Sequence, residues 1–180
     1  MMRSLLVALA AGLAIAQPSF AQSPYAGLQA RAVKALSDQQ IADLKAGRGM
    51  GLALPAELNG YPGPSHLLEL ADQIGLTDAQ RQAVRGLFDA MRAETIPIGE
   101  QLIAQEAALD ALFAGRKATV ESVAALTAEI GSTQARLRAA HVRYHLSALD
   151  LLQPAQVERY AQMRGYRDGT AGGQHQHHGR

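Results

Sequence analysis

Cysteine and tryptophan are both absent from the 180 residues. Without cysteine the chain has no disulfide framework, no thiol nucleophile, no thiolate metal site and no lipidation cysteine. Charge of one sign is lacking too: 17 Lys and Arg stand against 16 Asp and Glu, without the basic excess of a nucleic-acid binder. The longest apolar run, Leu5 to Ile15, is too short to span a bilayer comfortably. Catalytic signatures are missing as well. There is no GxSxG elbow, no HExxH and no His–Asp–Ser arrangement, and nothing positions a substrate beside Glu69 or Glu94. The sequence reads as a non-enzyme that requires no cofactor. Aromatics are only 4 % of residues, and alanine, leucine, glutamine and arginine dominate. Those are helix formers, and the composition reads all-α.

The two ends are set apart from the fold. Arg3, the apolar run and the small residues of "SFA" at Ser19 to Ala21 have the order of an export signal. Cleavage is expected after Ala21, with Ala16 as the alternative, and the product should be exported and span no membrane. The last residues, 167–180, read as a disordered tail. Its His175, His177 and His178 would make a weak scavenging site for divalent metals, or none.

Between these ends the chain carries repeated punctuation. "LTDAQ" at Leu76 to Gln80 has the form of a capping box, in which Thr77 accepts from the N–H of Gln80 and the Gln80 side chain accepts from the N–H of Thr77. "LSDQQ" at Leu36 to Gln40 repeats it. "LQPAQ" at Leu152 to Gln156 is a degraded copy, with Gln153 for the hydroxyl and Pro154 at the first helical position. Thr77 should open a long helix with Val84, Leu87, Phe88, Met91, Ile98, Leu102, Leu109 and Leu112 on one stripe, kinked at Pro97. A second long helix is expected over residues 119–149, with Val123, Leu126, Ile130, Leu137 and Tyr144 inward, and Ala114-Gly115 as the break between the two. A final helix should run from about Pro154 to Arg164. On the N-terminal side, residues 22–64 should hold a short helix over 24–46, broken near Ser37, and then a Gly/Pro-rich strap from Gly47. Met50, Leu52, Leu54, Leu58 and Tyr61 make that strap too apolar for a solvated linker. Its "GRGMG" lacks the preceding strand and the lysine of a phosphate loop. Another short helix is expected over 65–74. The expected domain is thus 65–166: an antiparallel hairpin with short flanking helices, which leaves apolar surface for a second copy to cover as a dimeric cradle.

With the motif copies located, the chain resembles the LTxxQ-motif periplasmic proteins, the Spy/CpxP-like refolding chaperones and the periplasmic heavy-metal sensors and resistance proteins. "LTDAQ" matches the motif fully and "LQPAQ" in all but threonine. "AELNGYPGPSHLLELADQIGLTDAQ" and "AAHVRYHLSALDLLQPAQVERY" look like the metal-sensor branch. The resemblance covers residues 47–166. It implies a periplasmic homodimer with one of two tasks: cradling unfolded envelope proteins without ATP in a stress response, or binding Zn, Ni, Co or Cu through histidines and signalling to a membrane-bound sensor partner.

Two constellations bear on that choice. "HVRYH" puts His141 and His145 four apart on one helix face. An antiparallel hairpin would bring His66 and Glu69 to them, with Glu94 as a further carboxylate, and the two motif copies would then face each other. Three histidines and an acid suit Zn, Ni or Co; alternatively the pair is half-buried and bonds locally. Arg136, Arg138 and Arg143 could line a basic surface for acidic or unfolded clients, or could be an ordinary solvated face.

Overall fold

The computed structural model describes residues 23–166, and the expected signal segment and histidine tail, with His175, His177 and His178, lie outside that range. The described chain is all helical: a 3-10 turn at Leu28–Ala30, then α1 (Asp38–Lys45), α2 (Leu54–Glu57), α3 (Pro64–Glu69), α4 (Asp78–Ala114), α5 (Val120–Leu149) and α6 (Pro154–Met163). None of the described helices is long and apolar enough to cross a membrane.

The helices begin where the punctuation stands. Thr77 Oγ1 accepts from Gln80 N at 3.2 Å, and Gln80 Oε1 accepts from Thr77 N at 3.0 Å. Ser37 and Gln40 form the same box. At α6, Gln156 Oε1 accepts from Gln153 N at 2.9 Å. A fourth box, Thr119 with Ser122, opens α5; the sequence reading did not single it out.

α4 and α5, 37 and 30 residues long, are about 55 and 45 Å at 1.5 Å per residue. They pack antiparallel, tied by Arg136 to Gln101 and by Arg143 and Tyr144 to Glu94. α4 runs on through Pro97. At the tip the left-handed residue is Arg116 (φ 52°), not Gly115 (φ −81°). Val84, Met91, Leu102, Ile130 and Leu137 are buried. Leu87, Phe88, Ile98, Leu109, Leu112, Val123, Leu126 and Tyr144 are only half-buried, because two helices cover each other along one seam.

At the open end the motif does more than cap. Gln80 Nε2 donates to Gln156 Oε1 at 2.8 Å, and Gln156 Nε2 donates back to Gln80 Oε1 at 2.9 Å. The remaining amide protons go to the carbonyls of Leu151 at 2.8 Å and Gly75 at 2.9 Å. A capping box accepts Glu or Gln in this place, but only an amide also has protons to donate. The two motif copies therefore face each other and interlock. Beneath them Leu76 is buried, and Leu152 packs against the same cluster of Leu67, Ile74, Val84, Ala148 and Tyr160.

The N-terminal segment lies on the hairpin. α1 crosses α4 at Gly99, where a Cβ would stand 2.7 Å from the Leu44 carbonyl oxygen. Leu44, Leu36 and Val33 join Leu102, Ile130 and Leu137 in a second cluster. The strap turns at Gly47 (φ 66°) and buries Ala53, Ala56 and Glu57. Two expected helices are shorter than their apolar residues suggested. Of residues 24–46 only α1 and the 3-10 turn are helical, and α3 stops at Glu69 rather than at 74.

Candidate functional site

The short α2 ends on Glu57, a carboxylate only 5 % exposed. Pro62 and Pro64 bracket Gly63 and bring the strap back over it, so that Gly63 N donates to Glu57 Oε2 at 3.2 Å. From α6, Tyr160 Oη donates to Glu57 Oε1, and just beyond that helix Tyr166 Oη donates to the same oxygen at 3.0 Å. Arg164 Nε stands 3.7 Å away and donates to Tyr166 Oη at 3.1 Å. The two tyrosine rings meet edge to face, centroids 6.4 Å apart. His66 Nδ1 of α3 lies 3.4 Å from Oε1, and His145 Nδ1 of α5 lies 3.7 Å from Oε2.

Burial by itself would raise the Glu57 carboxyl. The hydrogen bonds from His66, Tyr160 and Tyr166 together outweigh it and hold the pKa at about 2. Burial and the carboxylate push the Tyr160 hydroxyl up in turn. Glu57 is thus a permanent buried anion with its lone pairs occupied, the arrangement under which burying a charge is tolerable.

His145 is closed in. Its Nδ1–H donates to the Tyr61 carbonyl at 2.7 Å, and the other side of the ring lies against Gly63, where a Cβ would be 2.8 Å from Nε2. His141, one turn earlier, is 2 % exposed, and its Nε2 is buried without a hydrogen-bond partner. Burial first, and the nearby His145 second, lower its pKa against a smaller opposing pull from Glu94. Both histidines line a cavity of about 600 Å³ together with Met50, Phe88, Met91 and Glu69.

A second hollow, about 770 Å³ and more open, lies between α1, α4 and α5. Leu36, Leu44, Leu52, Leu102 and Leu137 line it, with Arg138 among the polar residues at its edge. The strap's Met50 faces both hollows.

The expected metal constellation is only partly assembled. His66, Glu69, His141 and His145 line one cavity, yet among the described residues no three His, Asp or Glu side chains are arranged to hold an ion. The reasons are local. Glu57 engages His66 and His145, Glu69 is exposed with a long 3.4 Å contact from Ser65, and Glu94 bonds to Arg143 and Tyr144. Arg143 is in turn held by Glu94, and Arg136 donates to Gln101 at 3.3 Å. Of the three expected client-binding arginines, only Arg138 reaches the open hollow.

Sequence reasoning missed Glu57, Tyr160, Arg164 and Tyr166. Their partners are more than 100 residues apart, and no local spacing announces such a contact. No family model, curated protein or solved structure matches this chain.

Proposed function

We propose that the chain is a periplasmic, ATP-independent holder of unfolded polypeptide, a non-catalytic stress protein whose binding surface is the hollow between α1, α4 and α5. One observation carries the reading: the strap exposes Met50, Leu54 and Leu58 by 42 to 57 %, next to a hollow of about 770 Å³ lined by Met50, the half-buried Leu52 and the buried Leu36, Leu44, Leu102 and Leu137. Exposed apolar side chains beside a hollow mark an interaction site, and the hollow suits an apolar segment of a client. Arg138 at the rim favours acidic flanks on the client. A second copy covering the half-buried stripes of α4 and α5 would complete a cradle, and sedimentation at tens of micromolar should show a dimer; a stable monomer would remove that part.

Light scattering of a chemically denatured client diluted into buffer tests the holding activity. Equimolar protein should suppress the rise in scattering, and Leu52→Glu, which puts a charge in the hollow, should lose most of that effect. Unchanged aggregation at every ratio of protein to client would sink the reading.

A second reading, metal response, has its own observation. His141 keeps a buried Nε2 without a partner in a cavity that it shares with two thioethers. A buried polar atom left without a partner costs about 1–3 kcal/mol, and in the tautomer with its proton on Nδ1 the ring turns a lone pair at Nε2 to a cation.

A further inference from the structure

We propose that the Asn59–Gly60 step in the strap is a site of spontaneous covalent modification, where deamidation through a succinimide to isoaspartate pulls the strap away from His145. The inference depends on neither the holding nor the metal reading.

Asn59 is the single asparagine of the chain, and a glycine follows it. Asparagine is among the chemically labile residues, and a glycine after it has no Cβ to shield the attacking nitrogen. The local structure leaves that nitrogen free. Among the described residues the Gly60 N–H has no hydrogen-bond partner, whereas Asn59 N and Tyr61 N on either side both donate to the Ala56 carbonyl, at 3.1 and 3.0 Å. Gly60 has a φ of 86°, and a Cβ built on it would meet nothing within 4 Å, which leaves room for a ring. Asn59 itself is exposed. Its side chain donates from Nδ2 to the Pro55 carbonyl at 2.7 Å, a bond that breaks by rotation of one exposed side chain.

The reaction needs only water and base. Gly60 N gives up its proton to solvent and attacks Asn59 Cγ. The Cγ–Nδ2 bond then breaks, and Nδ2 takes up a proton and leaves as ammonia. Water adds to one of the two carbonyls of the succinimide. Addition at Cγ returns the ordinary main chain with aspartate in place of asparagine. Addition at the main-chain carbonyl gives isoaspartate, whose main chain runs on through Cβ and Cγ.

Isoaspartate lengthens the main chain by one carbon, about 1.5 Å, between two points that are both pinned. On one side Glu57 is buried and accepts from Tyr160 and Tyr166. On the other, the Tyr61 carbonyl accepts from His145 Nδ1 at 2.7 Å, and Gly63 lies so close to that ring that a Cβ would stand 2.7 Å from Cε1. Hydrogen bonds to an anion outlast one to a neutral carbonyl, so the added length falls on the Tyr61 side. The conversion also removes the Nδ2–H that Pro55 accepts and leaves a carboxylate in the exposed strap.

The test holds the full chain in mildly alkaline buffer for several days and follows the peptide carrying Asn59 by mass spectrometry, with isoaspartyl methyltransferase labelling to count isoaspartate. Because the segment needs no global opening to react, native protein should convert at a rate within about tenfold of the urea-unfolded chain, and Asn59→Gln should not convert. A larger gap between native and unfolded rates means that the fold shields the bond, and overturns the proposal. Converted protein, separated by ion exchange through its added negative charge, should exchange amide hydrogens over residues 61–67 at least tenfold faster than unconverted protein, with α4 and α5 unchanged. Unchanged exchange there overturns the release of the strap. Equally fast exchange in Asn59→Gln, which alters the Pro55 contact without lengthening the main chain, overturns it too.

Discussion

Glu57 shows how a residue without any motif becomes the centre of a site. Its carboxylate joins the strap to α3, α6 and the segment after α6, because Gly63, His66, Tyr160 and Tyr166 each send it a donor, with His145 of α5 3.7 Å away. Neutralising it with Glu57→Gln keeps the shape but leaves Arg164 and the two tyrosines facing an amide. Loss of a buried partner to charged groups costs about 3 kcal/mol, which urea denaturation at pH 7 should report. The pH dependence follows from the same geometry. A carboxyl whose pKa falls from 4.5 unfolded to about 2 folded contributes stability that is fully present above about pH 4.5 and is lost as pH falls towards 2. Its contribution is about 3 kcal/mol by linkage. The native chain should therefore lose stability steeply between pH 4.5 and 2, and Glu57→Gln should flatten that slope. An unchanged slope would mean that the hub is not anionic. None of this was legible in "LPAELNGYPGP", where the acid sits among loop formers and its tyrosine partner lies 103 residues on.

Helix starts were the most legible feature of the chain, because capping is written in four adjacent residues. The pairing of the caps depends on which elements meet. Once α4 and α5 are antiparallel, the start of α4 and the start of α6 stand side by side, and Gln80 and Gln156 exchange hydrogen bonds. Gln156→Glu keeps the acceptor for the Gln153 N–H but loses both amide protons and sets an anion against Gln80 Oε1. It should cost more than Gln156→Ala, which leaves an empty place. A double-mutant cycle on Gln80→Ala and Gln156→Ala should return a coupling of about 1 kcal/mol; additive losses would show two independent caps. The short elements were less legible. Residues 70–74 carry helical apolar spacing, yet they turn after Glu69 so that Ala71, Ile74 and Leu76 all reach the core under Tyr160. Gly99, silent in a helix-period reading, is where the Leu44 carbonyl of α1 packs so closely on α4 that a Cβ would stand 2.7 Å from it.

At the scale of the whole molecule the sequence foretold an all-α hairpin with an apolar strap laid on it, since helical periodicity and the glycine–proline breaks are both local signals. It could not foretell that two hollows flank the strap, because their separation depends on how closely Gly47, Gly49 and Gly63 approach Thr95, His141 and His145. The histidines that periodicity placed on one face do reach one cavity, but a glutamate from the strap engages His66 and His145, and His141 is left with an unmatched nitrogen. The reading of the protein as a holder of unfolded chains rests on the hollow between α1, α4 and α5. The most direct test is hydrogen exchange followed by mass spectrometry on the protein with and without a saturating unfolded client. The account predicts slowed exchange in α1 and the strap, residues 38–54, and along α5 at residues 131–138, with the hairpin tip around Phe113 to Val120 unchanged. Protection confined to the tip, or no protection anywhere while the client stays soluble, would contradict it.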